Sequence, residues 1–122
     1  MKVLLLFFCC ATLSAIEMRF YVIGEVYRGP NAKTEVNEES KKLQAGHMAN
    51  ITKLAAEKRL ILAAPMAGNG DPRRNFIFDT DDVEKAQEWC DQDSAFQAGT
   101  FRVELHPWYL AKEIGILEAS KP

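Results

Sequence analysis

Apolar and polar residues alternate along 19–26, with Phe20, Val22 and Val26 on one face and Tyr21, Ile23 and Glu25 on the other. A period of two predicts a β-strand. Residues 27–36 are polar and contain Gly29-Pro30-Asn31, a turn signal. From about 37 to 58 the period becomes helical, and Leu43, His47, Ile51, Leu54 and Ala55 form one stripe. Gly46 interrupts that helix at a cost of about 1 kcal/mol relative to alanine, which implies a close approach by a strand or a ligand.

The run 60–64 predicts a second strand, stopped by Pro65. A dense turn, Gly68-Asn69-Gly70-Asp71-Pro72, separates it from a third strand at 75–79. Thr80 is positioned as the N-cap of a second helix whose apolar positions are Val83, Ala86 and Trp89. Asp79 precedes that cap and is expected to help start the helix. A further helical turn over 92–97 ends at Gly99. Residues 100–106 alternate again, with Phe101, Val103 and Leu105 on one face and Arg102, Glu104 and His106 on the other. The order βαββαβ is that of the α+β ferredoxin-like plait, an antiparallel sheet with helices on one face. Its other face carries Tyr21, Ile23 and Ile61 or their neighbours. That much apolar surface calls for a cover, and a two-fold homodimer is the simplest one.

A chain of 122 residues is one domain's worth, and 48% hydrophobic with 26% charged residues is a globular balance. A net charge of −2, with Arg73-Arg74 as the longest basic cluster away from the termini, argues against nucleic acid as a partner. Residues 1–15 follow a basic start with an apolar centre and small residues, the shape of a secretory signal peptide. The alternative is a mistranslated leader, with Met18 as the true first residue. The protein is exported, periplasmic or secreted, on the first reading and cytoplasmic on the second. The apolar run is too short to span a bilayer. Cys9 and Cys10 fall in this leader, leaving Cys90 alone in the domain and without an intrachain disulfide.

Several segments in order resemble the YCII-related (YciI-like) family. They are Phe20-Tyr21-Val22-Ile23, then Gly46-His47 with Asn50-Ile51, then Leu60-Ile61-Leu62-Ala63-Ala64-Pro65, then Asn75-Phe76-Ile77-Phe78-Asp79. Asp93-Ser94-Ala95-Phe96-Gln97-Ala98-Gly99 is similar to the family's D-P-x-x-x-A-G step with Ser94 in place of proline, and His106-Pro107-Trp108-Tyr109 closes the match. The resemblance covers 18–112, leaving 113–122 as a tail, and implies a dimeric α/β barrel. A dehydrochlorinase acting on a chlorinated hydroxyquinol is a member of that family, and the resemblance also implies a histidine with a nearby acid as the active-site pair. His47 matches the family histidine. The Asp that follows the first strand in the better-known branch has no match here, and Asp71 is the candidate substitute.

Histidine suits proton transfer near neutral pH, so His47 with Asp71 is the expected catalytic pair. Its bland alternative is a buried imidazole bonded to backbone. Tyr21, Arg28, His106 and Trp108 are candidate substrate-binding residues, although each also reads as an interface aromatic, a solvated charge or an anchor of the C-terminal segment. Cys90 beside Trp89 reads as packing. No phosphate-binding glycine loop, serine nucleophile elbow or zinc spacing occurs, so no metal and no cofactor is expected. The expected function is a cofactor-independent lyase or isomerase acting on a small cyclic or phenolic compound. The alternative is a non-catalytic dimeric small-ligand-binding or structural domain.

Overall fold

The structure, a computed structural model, describes residues 16–112. The leader with Cys9 and Cys10, and the tail 113–122, lie outside the described residues. The elements are β1 (Met18–Arg28), α1 (Glu38–Ala56), β2 (Leu60–Pro65), β3 (Arg74–Phe78), α2 (Val83–Asp91), α3 (Ser94–Gln97) and β4 (Phe101–Ala111). One four-stranded sheet has the order β2-β3-β1-β4, every neighbouring pair antiparallel. This is the α+β ferredoxin-like arrangement that the element order predicts.

The helices share one face of the sheet. Val22 and Val26 of β1 and Phe76 and Phe78 of β3 meet Leu54, Leu60, Ala86, Trp89 and Cys90 in one buried cluster. Val103 and Leu105 of β4 pack against it, as the alternation of that strand requires. The α1 stripe is narrower than the periodicity suggests: His47 and Leu54 are buried, Leu43 and Ile51 are partly buried, and Ala55 is exposed.

Helix α1 opens with a capping box. The Asn37 side chain accepts from the Ser40 N–H and the Ser40 hydroxyl accepts from the Asn37 N–H, each at 2.9 Å. It ends where Lys58 turns left-handed (φ 58°) and the Arg59 N–H bonds the Leu54 carbonyl at 2.9 Å. The α2 cap is Asp82 rather than Thr80. Asp82 accepts from the Glu84 N–H at 2.9 Å, while the Thr80 hydroxyl accepts from the Asp82 N–H one step upstream. A carboxylate at the cap also meets the positive end of the helix dipole, which favours it over the hydroxyl. Asp79 does not start the helix; its carboxylate pairs with Arg19.

Both long strands exceed the alternating segments. Strand β1 runs to Arg28, and β4 passes through Pro107 to Ala111. Proline is tolerated because β4 is an edge strand, so its missing N–H removes no bond from an outer neighbour. Gly46 is explained by a helix rather than a strand or ligand: a Cβ there would lie 2.1 Å from the Ser94 hydroxyl, where α3 presses on α1.

The start of the β1–α1 loop is pinned to the α3–β4 turn by Gly29 N–H to the Thr100 carbonyl (2.8 Å) and Asn31 N–H to the Gly99 carbonyl (2.9 Å). A Cβ on Gly29 would sit 2.1 Å from the Gly99 carbonyl oxygen, a backbone atom with no rotamer to change. Gly29→Ala is therefore expected to destabilise the fold by about 2–3 kcal/mol, the range of overpacking where nothing can yield. Urea unfolding of the two proteins measures this, and an unchanged midpoint would contradict the close approach.

Candidate functional site

His47 lies at the middle of α1 and is 0% exposed. Three phenyl rings surround its imidazole, with centroids at 5.1 Å (Phe101), 6.1 Å (Phe96) and 6.3 Å (Phe76). In such a cage an unpaired ring nitrogen would cost about 1–3 kcal/mol. Both nitrogens are paired. Nδ1 lies 2.6 Å from Oδ2 of Asp93, itself 1% exposed, and Nε2 lies 2.5 Å from Nη1 of Arg74.

The proton positions follow from donor chemistry. A guanidinium has only donors, so Nε2 is the acceptor and the ring hydrogen sits on Nδ1, donated to Asp93. The imidazole is thus neutral, held in one tautomer between a carboxylate and a guanidinium. Asp93 is fixed in turn because it is the N-cap of α3, where Oδ1 accepts the Ala95 N–H at 2.9 Å. One carboxylate thus caps a helix with one oxygen and orients the histidine with the other.

Arg74 opens β3 and shares the helix-side face with Phe76 and Phe78, two and four residues on. Its guanidinium carbon sits 5.3 Å from the Phe101 ring centre. Burial draws this group below arginine's usual range; Asp93 opposes the effect and Arg73 adds to it. The Arg74 Nε is buried and has no hydrogen-bond partner.

A cavity of about 460 Å³ adjoins this cluster. Leu43, one turn before His47, and Phe101 form part of its wall, and Asn31, Lys33, Ser40 and Gln44 supply polar groups. Its size falls within the range of small-molecule sites. His47, Asp93 and Arg74 are not part of its lining.

The expected acid, Asp71, is not the one beside His47. It sits in the β2–β3 loop, where its carboxylate faces the Arg28 N–H at 3.4 Å. The Arg28 guanidinium donates to the Asn69 carbonyl at 2.7 Å. Tyr21, His106 and Trp108 point to the opposite, helix-free face of the sheet. There Tyr21 stands across from Trp108, and Ile23 across from His106. Tyr21 is 2% exposed and donates its hydroxyl to the Lys112 carbonyl; Trp108 is 43% exposed. The sheet itself thus separates these three from His47. Cys90 is buried, with its thiol pushed up to about 12 by burial first and by Asp93 and Asp91 next, which makes it a packing residue and a poor nucleophile. Among the described residues no group of His, Cys, Asp or Glu is arranged to hold a metal ion, and no helix is long and apolar enough to cross a membrane.

Sequence reasoning passed over Asp93 and Arg74 as site residues. An Asp before a short helix that ends at Gly99 is a cap signal, and it marked Asp93 only as part of a local step. Arg74 carried no signal beyond its parity with Phe76. Asp93→Ala is expected to cost about 3–5 kcal/mol, because it strands a buried imidazole N–H and removes a helix cap together. Chemical denaturation checks the magnitude. A loss below 1 kcal/mol would mean the His47–Asp93 contact holds nothing in place.

No curated protein matches the chain. A solved structure with the same fold is 5-chloro-2-hydroxyhydroquinone dehydrochlorinase from Burkholderia phenoliruptrix, in complex with 2,5-dihydroxybenzoquinone. It is 18% identical, with a TM-score of 0.51, and the match covers 74% of this chain and 93% of that one. The family model of the YCII-related domain matches residues 19–109, from the start of β1 to near the end of β4 and including the whole His47–Asp93–Arg74 cluster. The chain belongs to the YCII-related family.

Proposed function

We propose that this protein is a cofactor-independent lyase or isomerase that moves a proton on a small cyclic or phenolic compound, with His47 as the base and Asp93 as the residue that orients it. The observation that carries this reading is the buried 2.6 Å contact between Nδ1 and the Asp93 carboxylate. It holds the hydrogen on Nδ1 and stabilises the imidazolium that forms when Nε2 takes a proton. A cavity of about 460 Å³, large enough for one ring-sized substrate, lies beside the cluster with Phe101 as shared wall; on this reading side chains between it and the buried imidazole must move for Nε2 to reach the substrate. The fold's likeness to a dehydrochlorinase adds a substrate class.

On a chlorinated hydroquinone the chemistry balances without an oxidant. Ketonisation places a proton on the carbon that bears chlorine. Removal of the remaining hydroxyl proton by Nε2 then sends an electron pair through the ring and expels chloride. The products are a quinone, a chloride ion and one proton on the base.

A second reading rests on a different observation. His47 is 0% exposed with both nitrogens paired, as in a purely structural polar cluster. On that reading the domain binds a small ligand in the cavity, or serves as a structural dimer, without catalysis.

We also infer a homodimer that closes on the helix-free face. Leu62, Ile77, Ile23 and His106 form one row across the four strands, with Trp108 across from Tyr21 beside it. A second sheet on this face would cover the exposed Leu62 and Trp108.

Two measurements test these proposals. Incubated with 5-chloro-2-hydroxyhydroquinone, the protein is expected to release chloride. His47→Gln should lower the rate about 100- to 10,000-fold, and Asp93→Asn, which can present an N–H to the ring and reverse the tautomer, should lower it comparably. Saturable binding without chloride release by the wild type would favour the non-catalytic reading. Sedimentation equilibrium should give a dimer that Ile23→Glu converts to monomer; a monomeric wild type would rule out the two-sheet closure.

A further inference from the structure

Three arginines gather where β1 and β3 meet the β2–β3 loop, and two of them have ordinary partners. Arg28 donates to the Asn69 carbonyl at 2.7 Å, and Arg73 donates to the Gly68 and Gly70 carbonyls at 2.9 and 3.0 Å. Arg74 differs. Among the described residues it forms no salt bridge, and its Nη1 instead caps the Nε2 of His47 at 2.5 Å. Its Nε is buried with no partner, and its plane rests near the Phe101 ring, which also walls the cavity. A half-buried cation with a spare buried donor and an aromatic neighbour is a receptor for an anion that has an aromatic body.

The charges agree. The buried cluster holds Asp93 as an anion, His47 as a neutral ring and Arg74 as a cation, so it is balanced before a substrate arrives. Transfer of a phenolic proton to Nε2 would create an imidazolium beside Asp93 and a phenolate for which Arg74, already in contact with Nε2, is the nearest cation of the cluster, with Lys33 on the cavity wall. The cap on Nε2 must leave for that transfer to occur, and the departing guanidinium is the group that the new oxyanion needs.

We propose that Arg74 is the substrate-anion receptor of this site: it caps His47 Nε2 in the empty protein, and turns to a phenolate oxygen when an aromatic substrate binds, uncovering the base. The substrate class is therefore an aromatic oxyanion, a phenolate in the first place. This deepens the reading of His47 as a base and rests on it.

The test uses 4-nitrophenol, whose phenolate absorbs in the visible and so reports its own ionisation when bound. Benzoate is the carboxylate comparison. The full-length wild type, Arg74→Gln and Arg74→Lys are titrated with each probe, and the ring nitrogen NMR signals of His47 verify in each protein that the Asp93 contact is intact. The wild type should take up 4-nitrophenol as phenolate, lowering its apparent pKa by one unit or more, which is a tenfold preference. Arg74→Gln should bind phenolate at least tenfold more weakly, and Arg74→Lys should recover part of that loss. Benzoate bound with the same Arg74 dependence would extend the class to carboxylates. Uptake of the neutral phenol, equal phenolate binding by Arg74→Gln, or no saturable binding of either probe would each overturn the proposal. Chloride release that Arg74→Gln leaves unchanged overturns this inference alone. Phenolate binding through Arg74 in a protein that releases no chloride overturns the catalytic reading of His47 and leaves this one standing.

Discussion

The hydrogen bond from His47 Nδ1 to the Asp93 carboxylate, 2.6 Å long and sealed from solvent, is what the buried polar cluster on the helix side of this fold depends on. It ties the middle of α1 to the start of α3, two elements that also meet where Ser94 lies against Gly46 and Phe96 against the His47 ring. Gly46 lets α3 approach, since any side chain there would strike Ser94. Asp93 is already required as the α3 cap, so its second oxygen is aimed before the histidine is considered. Remove the carboxylate, and a polar ring nitrogen is left in a cage of Phe76, Phe96 and Phe101 with nothing to satisfy it.

The sheet divides the molecule's candidate chemistry in two. On the helix side lie His47, Asp93, Arg74 and the wall of the cavity. On the open side lie Tyr21, Ile23, Ile77, His106 and Trp108, together with Glu25, Tyr27, Arg102 and Glu104. The Glu25 and Glu104 carboxylates stand directly across from each other, a like-charge pair that would be unfavourable alone. Arg102 meets Glu104 at 2.9 Å and the Tyr27 hydroxyl donates to Glu25 at 2.6 Å, which relieves it. The bond to Glu25 is the main reason that the Tyr27 phenol is pushed up to about 12. That patch is a self-satisfied polar strip at one end of the open face, and the apolar rows lie toward the other end.

Strand parity decides which residues meet the histidine. Phe76 and Phe78 face the helices because β3 is buried on that side, and parity then sends Arg74 the same way. A slip of one residue would turn Arg74 outward and bring Asn75 toward the ring. The same rule placed Tyr21, His106 and Trp108 away from His47, although all four come from segments that resemble one family. A resemblance orders segments along the chain but does not say which face each residue occupies.

What the sequence by itself determined is local. The period-two and helical stripes, the Pro65 stop, the polar turns and the Asp-to-Gly step around α3 specify the βαββαβ order, because each depends on backbone preferences and on which side of an element is apolar. The family histidine was legible for the same reason, standing in an apolar stripe where a polar ring draws notice. The partner of that histidine was not. Asp93 lies 46 residues away and Arg74 lies 27 away, and no local pattern records what stands across a packed interface. Asp71 stood in for the acid that the family resemblance implies and that has no match after the first strand, yet the hairpin loop carries it to Arg28 instead. Only the tertiary structure decided these pairings. A buried polar group selects its partner by the geometry of whole elements packed together, and that geometry is set by the core that Val22, Val26, Phe76, Phe78 and Trp89 build between the sheet and the helices.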